Sequence, residues 1–295
     1  MRYAIFSLVM AVFIGITGCS NNDNPSNPPE TGELALNISG LKDLGSAAKY
    51  EGWIIVNGTP KSTGKFTVDA NGQLSSNTFT VDKSDLDDAA KFVLTIEPEP
   101  DQNADPSDVH LIAGNFSNNQ ASLSVSDGAA LNDDFSSASG TFVLATPTNG
   151  SSSNENSGIW FLDLSSGSPS VGLTLPTLPS GWKYEGWAVI NGTPVTTGKF
   201  TSNSAIDESA PYSGTMSGPP FPGEDFLNNA PSGLTFPTDL SGDIAVITIE
   251  PDPDNDAGPF FMKPLTGNIP SGAMDHTNYP LNLNMGTFPV GTASR

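Results

Sequence analysis

The chain contains two copies of one pattern, and that duplication constrains its fold more than any other feature. Lys49-Tyr50-Glu51-Gly52-Trp53 returns as Lys183-Tyr184-Glu185-Gly186-Trp187, 134 positions later (183 − 49). Asn57-Gly58-Thr59-Pro60 and Thr63-Gly64-Lys65-Phe66 return in the same register as Asn191-Gly192-Thr193-Pro194 and Thr197-Gly198-Lys199-Phe200. Thr95-Ile96-Glu97-Pro98 then recurs as Thr248-Ile249-Glu250-Pro251 at an offset of 153 (248 − 95), so the second copy holds 19 more residues (153 − 134) between the blocks. A solenoid needs about three or more repeats to build a continuous core. Two copies indicate two similar domains in tandem.

The local code inside each copy is β. Trp53 to Val56 is an aromatic and β-branched run that leads into Asn57-Gly58 and then Gly64 to Val68. Asn-Gly between two such runs predicts a tight hairpin, because both residues tolerate positive φ. Phe92 to Ile96 and Ile244 to Ile249 are nearly continuous apolar runs, as strands buried on both faces require. Ser84 to Lys91 is the one weak helix candidate, with Ser84 as its cap. With 30 Gly and 25 Pro a helical bundle is excluded, and 16 Phe supply enough apolar surface for a core. The predicted class is all-β: two tandem β-sandwich domains, residues 32–137 and 138–295, the second carrying an insertion near 202–242. Thr141 to Thr146 and Ile159 to Leu162, around the polar stretch Asn149 to Gly158, read as a hairpin leading into the second domain.

The first 18 residues read as a secretory signal: Arg2, then an apolar run from Ala4 to Ile16 that is too short to span a bilayer, which takes about 20 apolar residues. Ile16-Thr17-Gly18-Cys19 resembles the bacterial lipobox, in which the Cys becomes an acylated N-terminus. A plain signal peptide or an anchoring helix is the weaker reading, since Cys19 is the only cysteine and sits where a lipobox needs it. Residues 19–31, polar and proline-rich, form a flexible tether. The expected location is the cell envelope, lipid-anchored through Cys19 and extracytoplasmic. Ser20 favours the outer membrane or cell surface over the inner membrane.

Leu34 to Leu41, Tyr50 to Trp53, Pro60 to Phe66 and Phe92 to Pro98 occur in the order seen in anti-sigma-K-type factors, and the chain resembles their extracytoplasmic domain. The second copy matches through Leu173 to Pro176, Tyr184 to Trp187, Pro194 to Phe200 and Ile247 to Pro251. Such factors also carry a cytoplasmic sigma-binding region and a membrane-spanning helix, neither of which is read in this sequence. The resemblance therefore implies a sensory or binding β domain reused as a lipoprotein.

Candidate chemistry is sparse. The formal charge of −21 arises from 32 acids against 11 bases, which excludes nucleic acid as a partner. Beyond Cys19 there is no thiol for disulfides, zinc or catalysis. His110 and His276 are not repeat equivalents and read as ordinary loop residues. The duplicated carboxylates Glu51/Glu185 and Glu97/Glu250 would suit a glycosidase only if two converged about 5–9.5 Å apart. The favoured reading is structural, with Glu51 turned to solvent or to Lys49 and Glu97 accepting backbone hydrogen bonds in a turn. Asp252, Asp254 and Asp256 alternate as calcium ligands do, although no Glu follows at the twelfth position. The first copy, with Glu97, Glu99, Asp101 and Asp105, is read as differently spaced, and a solvated acidic turn is preferred over calcium. In the insertion, Phe221, Glu224, Asp225 and Phe226 form a proline-stiffened segment that reads equally as a binding loop or as a lid packing its own Phe residues. Trp53 and Trp187 read as core; Trp160 and Trp182 lack repeat partners and read as lining for a surface groove.

The expected function is that of a non-catalytic envelope lipoprotein, without cofactor, that binds an envelope protein or a glycan. The alternatives are a glycan hydrolase using Glu or Asp and a purely architectural spacer.

Overall fold

The computed structural model describes residues 29–150, 153–254 and 256–295. The segment read as a secretory signal and Cys19 lie outside the described residues. No described helix is long and apolar enough to cross a membrane.

The first copy forms β1 (Thr31–Ser39), β2 (Ala48–Val56), β3 (Thr59–Phe66), β4 (Thr78–Asp82), the short helix α1 (Lys83–Asp88), β5 (Ala89–Pro98), β6 (His110–Ser117) and β7 (Gln120–Leu123). There follow β8 (Ser139–Leu144), β9 (Gly158–Trp160), β10 (Leu162–Asp163), β11 (Ser170–Val171), β12 (Leu173–Thr174), β13 (Trp182–Ile190), β14 (Thr193–Phe200), β15 (Gly223–Asp225), β16 (Ile244–Pro251), β17 (Leu265–Asn268), β18 (Tyr279–Leu283) and β19 (Val290–Ser294). The fold is all-β, with two large antiparallel sheets in a sandwich-like arrangement.

Both expected hairpins form. Asn57 and Gly58 have φ of 51° and 80°, and Asn191 and Gly192 have 51° and 83°, the positive pair that a type I′ turn demands. The helix forms as well, but its cap is Asp82, two residues before Ser84. The Asp82 carboxylate accepts from the Ser84 and Asp85 amides and from the Ser84 hydroxyl, so the serine supports the cap instead of providing it.

The first sheet runs β3-β2-β5-β6-β7-β19-β1-β4, and the second β14-β13-β16-β17-β18-β8-β9-β15 with β12 beside β8. Each curls until its two edges approach. In the first, the rings of Phe66 on β3 and Phe79 on β4 lie 5.9 Å apart. In the second, Asp207, just past β14, accepts the Gly223 amide of β15.

The closing strands are exchanged between the copies. β19, at the far end of the stretch assigned to the second domain, fills the place between β7 and β1 in the first sheet. The matching place in the second sheet, between β18 and β9, is filled by β8, which follows β7 in the chain. Each copy thus receives a strand from the segment that follows the other's last hairpin. The last residue locks the exchange: the Arg295 guanidinium donates to the Leu86, Ala89 and Asn118 carbonyls and lies over the Phe116 ring.

A single apolar cluster runs through both copies, from Leu34 to Ala293. Two smaller clusters lie apart from it, one around Trp53 and one around Trp160. The shared core couples the two copies, and a single cooperative thermal transition is expected by calorimetry. Phe142→Ala on β8, which empties a fully buried site packed against Tyr279, should cost roughly 3–5 kcal/mol. Removing residues 290–295 should lower the stability of both sheets together. Two resolved transitions, or a truncated chain melting as the intact one does, would contradict a shared core.

Candidate functional site

Each copy builds the same charged cluster at the end of its sheet. On β2, Glu51 lies opposite Lys65 of β3 on one side and Thr95 of β5 on the other, with Glu97 two residues further along β5. The turn after β5 then folds back and adds Asp101. One oxygen from each of Glu51, Glu97 and Asp101 lies within 4.8 Å of the others, and Glu185, Glu250 and Asp254 repeat this geometry.

The supporting contacts are duplicated too. The Trp53 indole donates to Thr95 Oγ1 at 2.9 Å, and Thr95 donates to Glu97; Trp187 donates to Thr248 at 2.8 Å, and Thr248 to Glu250. Glu97 accepts the Ser107 amide at 2.9 Å, and Glu250 the equivalent Phe260 amide at 2.9 Å. Glu51 accepts from Ser62, and Glu185 from Thr196. Outside the cluster Lys49 pairs with Glu99 and Lys183 with Asp252.

These contacts sort the sequence expectations. Glu97 does accept backbone hydrogen bonds from its turn. Glu51 turns neither to solvent nor to Lys49: it is 5% exposed and faces Lys65, because the turn after β5 covers that face of the strand. The acidic turns are also more alike than read from sequence. Through Glu97-Pro98-Glu99-Pro100-Asp101 and Glu250-Pro251-Asp252-Pro253-Asp254 the acids match position for position, and the spacing diverges only afterwards. The 153 offset, continued three residues past Pro98, pairs Asp101 with Asp254. Asp252, Asp254 and Asp256 do not converge. Asp252 goes to Lys183, Asp254 turns inward to Glu185 and Glu250, and exposed Asp256 gives its amide to Asp254.

The copies differ at the lysine. Lys65 Nζ spans the first cluster, 2.8 Å from Asp101 and 3.6 Å from Glu51. Lys199 Nζ reaches Asp254 at 2.8 Å and, among the described residues, no second carboxylate within ion-pair range. Burial, reinforced by Glu185 and Asp254, pushes the Glu250 carboxyl up to about 8, and burial raises Glu185 as well.

The insertion holds a second set of buried acids. Gly223, Glu224 and Asp225 form β15 against β9, and Phe221 and Phe226 are buried beside it. The four residues expected on a binding loop are therefore interior, and the segment packs as a lid. Its aromatic residues cluster with one another, Phe226 lying 5.9 Å from Tyr212 and 5.4 Å from Phe236. Asp225 accepts from Thr148 and, at 2.8 Å, from the Trp160 indole, while Glu224 accepts from Tyr212 and Ser213. Trp160 and Trp182 line no groove. Both are buried, and Trp182 donates to the His110 carbonyl, tying the copies together. His110 Nδ1 lies 2.8 Å from the Ala129 carbonyl, and exposed His276 lies beside Asp275.

A cavity of about 730 Å³ lies elsewhere in the second copy. Three connections meet there: 154–157 before β9, 237–239 at the end of the insertion, and 273–277 before β18. Glu155, Asp239 and Asp275 bring carboxylates to it, and Asn156 an amide. Asn156 Nδ2 donates to the Ala273 carbonyl and its backbone carbonyl accepts from Leu240, which joins all three walls, while its Oδ1 is buried without a partner. Met274 stands exposed at the rim. No sequence motif marks these residues, because they come from three turns far apart in the chain. Comparisons with family models, with characterised proteins and with solved structures find no match to this chain.

The buried acids set the pH response. Burial lifts Asp207 and Glu224 each to about 7, so the folded chain holds protons that the unfolded chain releases near its ordinary 3.8 and 4.5. Stability from these groups is greatest below about pH 4 and is lost as pH rises through 7, the reverse of an ion-paired carboxylate. The melting temperature should fall between pH 5 and pH 8, and Glu224→Gln should flatten that slope. A melting temperature that rises across this range would refute the assignment.

Proposed function

We infer that the chain is a lipid-anchored, extracytoplasmic binding protein that acts without catalysis, with the 154–157/237–239/273–277 cleft as its ligand site. The carrying observation is the convergence of the Glu155, Asp239 and Asp275 carboxylates and the Asn156 amide group on a cavity of ligand-binding size. Acceptor-rich walls select a donor-rich ligand: the hydroxyls of a glycan or the ammonium groups of an envelope protein. The resemblance to anti-sigma-K extracytoplasmic domains supports a sensing or binding role, and the lipobox-like Ile16 to Cys19 supports attachment to the outer membrane or cell surface.

Placement is tested by Cys19→Ser, which should abolish acyl labelling and release the protein from the membrane fraction. The ligand is tested with a photo-crosslinking residue at Met274 in intact cells, alongside glycan-array binding of the purified protein. Asp239→Asn with Asp275→Asn should weaken capture at least tenfold. A protein ligand held by ammonium groups should also be lost in high salt, whereas glycan binding should persist. Capture that ignores the double substitution would remove the cleft from consideration, and turnover of a captured glycan would assign an enzyme instead.

A further inference from the structure

The second charged cluster is short of positive charge in a way the first is not. In the first copy both Glu51 and Asp101 have Lys65 between them. In the second, Glu185 uses one oxygen to accept from Thr196, and its other oxygen, Oε2, has no partner although the residue is 95% buried. The equivalent oxygen of Glu51 is the one that faces Lys65, whereas Glu185 has Lys199 and Asp254 as charged neighbours and places a carboxylate oxygen within 4.8 Å of those of Glu250 and Asp254. Buried polar atoms without partners are uncommon in folded proteins, and a carboxylate oxygen is among the costliest to leave so.

We propose that Glu185, Glu250 and Asp254 form a binding site for one hard divalent cation of the calcium class. The donor set is oxygen only, its ligating atoms lie within 4.8 Å of one another, and the three carboxylates, once ionised by the arriving ion, leave beside one lysine two negative charges that the ion balances. The ion would satisfy Glu185 Oε2, and Lys199, held by Asp254 alone, would swing outward as Asp254 turned to the metal. The first cluster has no such vacancy, since Lys65 already serves both acids. The resulting asymmetry is one ion per chain, bound in the second copy.

Trp187 supplies the readout, because its indole reaches Glu250 through Thr248. Terbium added to the intact protein should give tryptophan-sensitised luminescence that saturates at one ion per chain and is displaced by calcium, and calcium should raise the melting temperature. Glu185→Gln should weaken terbium binding at least tenfold, and Glu51→Gln should leave it unchanged. Lys199→Met, which removes the competing cation without touching a ligand, should tighten it at least tenfold and keeps the test decisive if Glu185→Gln fails to fold. No saturable emission, emission that survives Glu185→Gln, or a Lys199→Met protein that binds no better than the parent would overturn the site.

Discussion

The fold depends on backbone hydrogen bonding at two sheet positions. Without β19, both β1 and β7 would present unpaired amides and carbonyls, and without β8 so would β18 and β9. An open, apolar strand edge is a liability in any sheet protein. Here each copy covers the other's open edge with its own continuation, so neither sheet is complete alone. The shared core from Leu34 to Ala293 and the Arg295 clamp on the carbonyls of α1, the start of β5 and the β6–β7 turn accompany that exchange.

Within that paired backbone, the buried acids are held mainly by uncharged donors. A chain with 32 acids and 11 bases cannot pair every carboxylate with a cation. It satisfies most buried acids with backbone amides, hydroxyls and indoles, as Glu97, Glu224 and Asp225 show. Such partners neutralise no charge, so burial raises the proton affinity of Asp207, Glu224 and Glu250. The lysine difference between the clusters then turns a common framework into two unlike sites: one is internally balanced, the other has an oxygen left over.

Much of this was legible in sequence because it is local or periodic. The Asn-Gly hairpins, the buried central strands, the all-β class and the interior places of Trp53 and Trp187 all follow from turn chemistry and residue pattern. What pattern left open or misplaced shares a cause. Phe221, Glu224, Asp225 and Phe226 read equally as a loop or a lid because proline and acids surround them, and β9 offers the pairing edge that draws them inside. Trp160 and Trp182 lack repeat partners and so resemble surface residues, yet Trp160 finds Asp225 and Trp182 finds His110 across the copies. Neither partner is near in sequence.

The sequence by itself determined the duplication, the strand identities, the hairpin turns and the acids and lysines that recur at fixed offsets, because each depends on residues within one strand or one turn. Only the tertiary structure decided which strand closes which sheet, which carboxylates meet and where a cleft opens. Those outcomes depend on edges that attract any strand of suitable length, and on side chains brought together from turns dozens of residues apart. Glu185 and Glu51 occupy the same place in the repeat; what separates them is a lysine Nζ 3.6 Å from one and beyond ion-pair range of the other, a difference no pattern in the chain records.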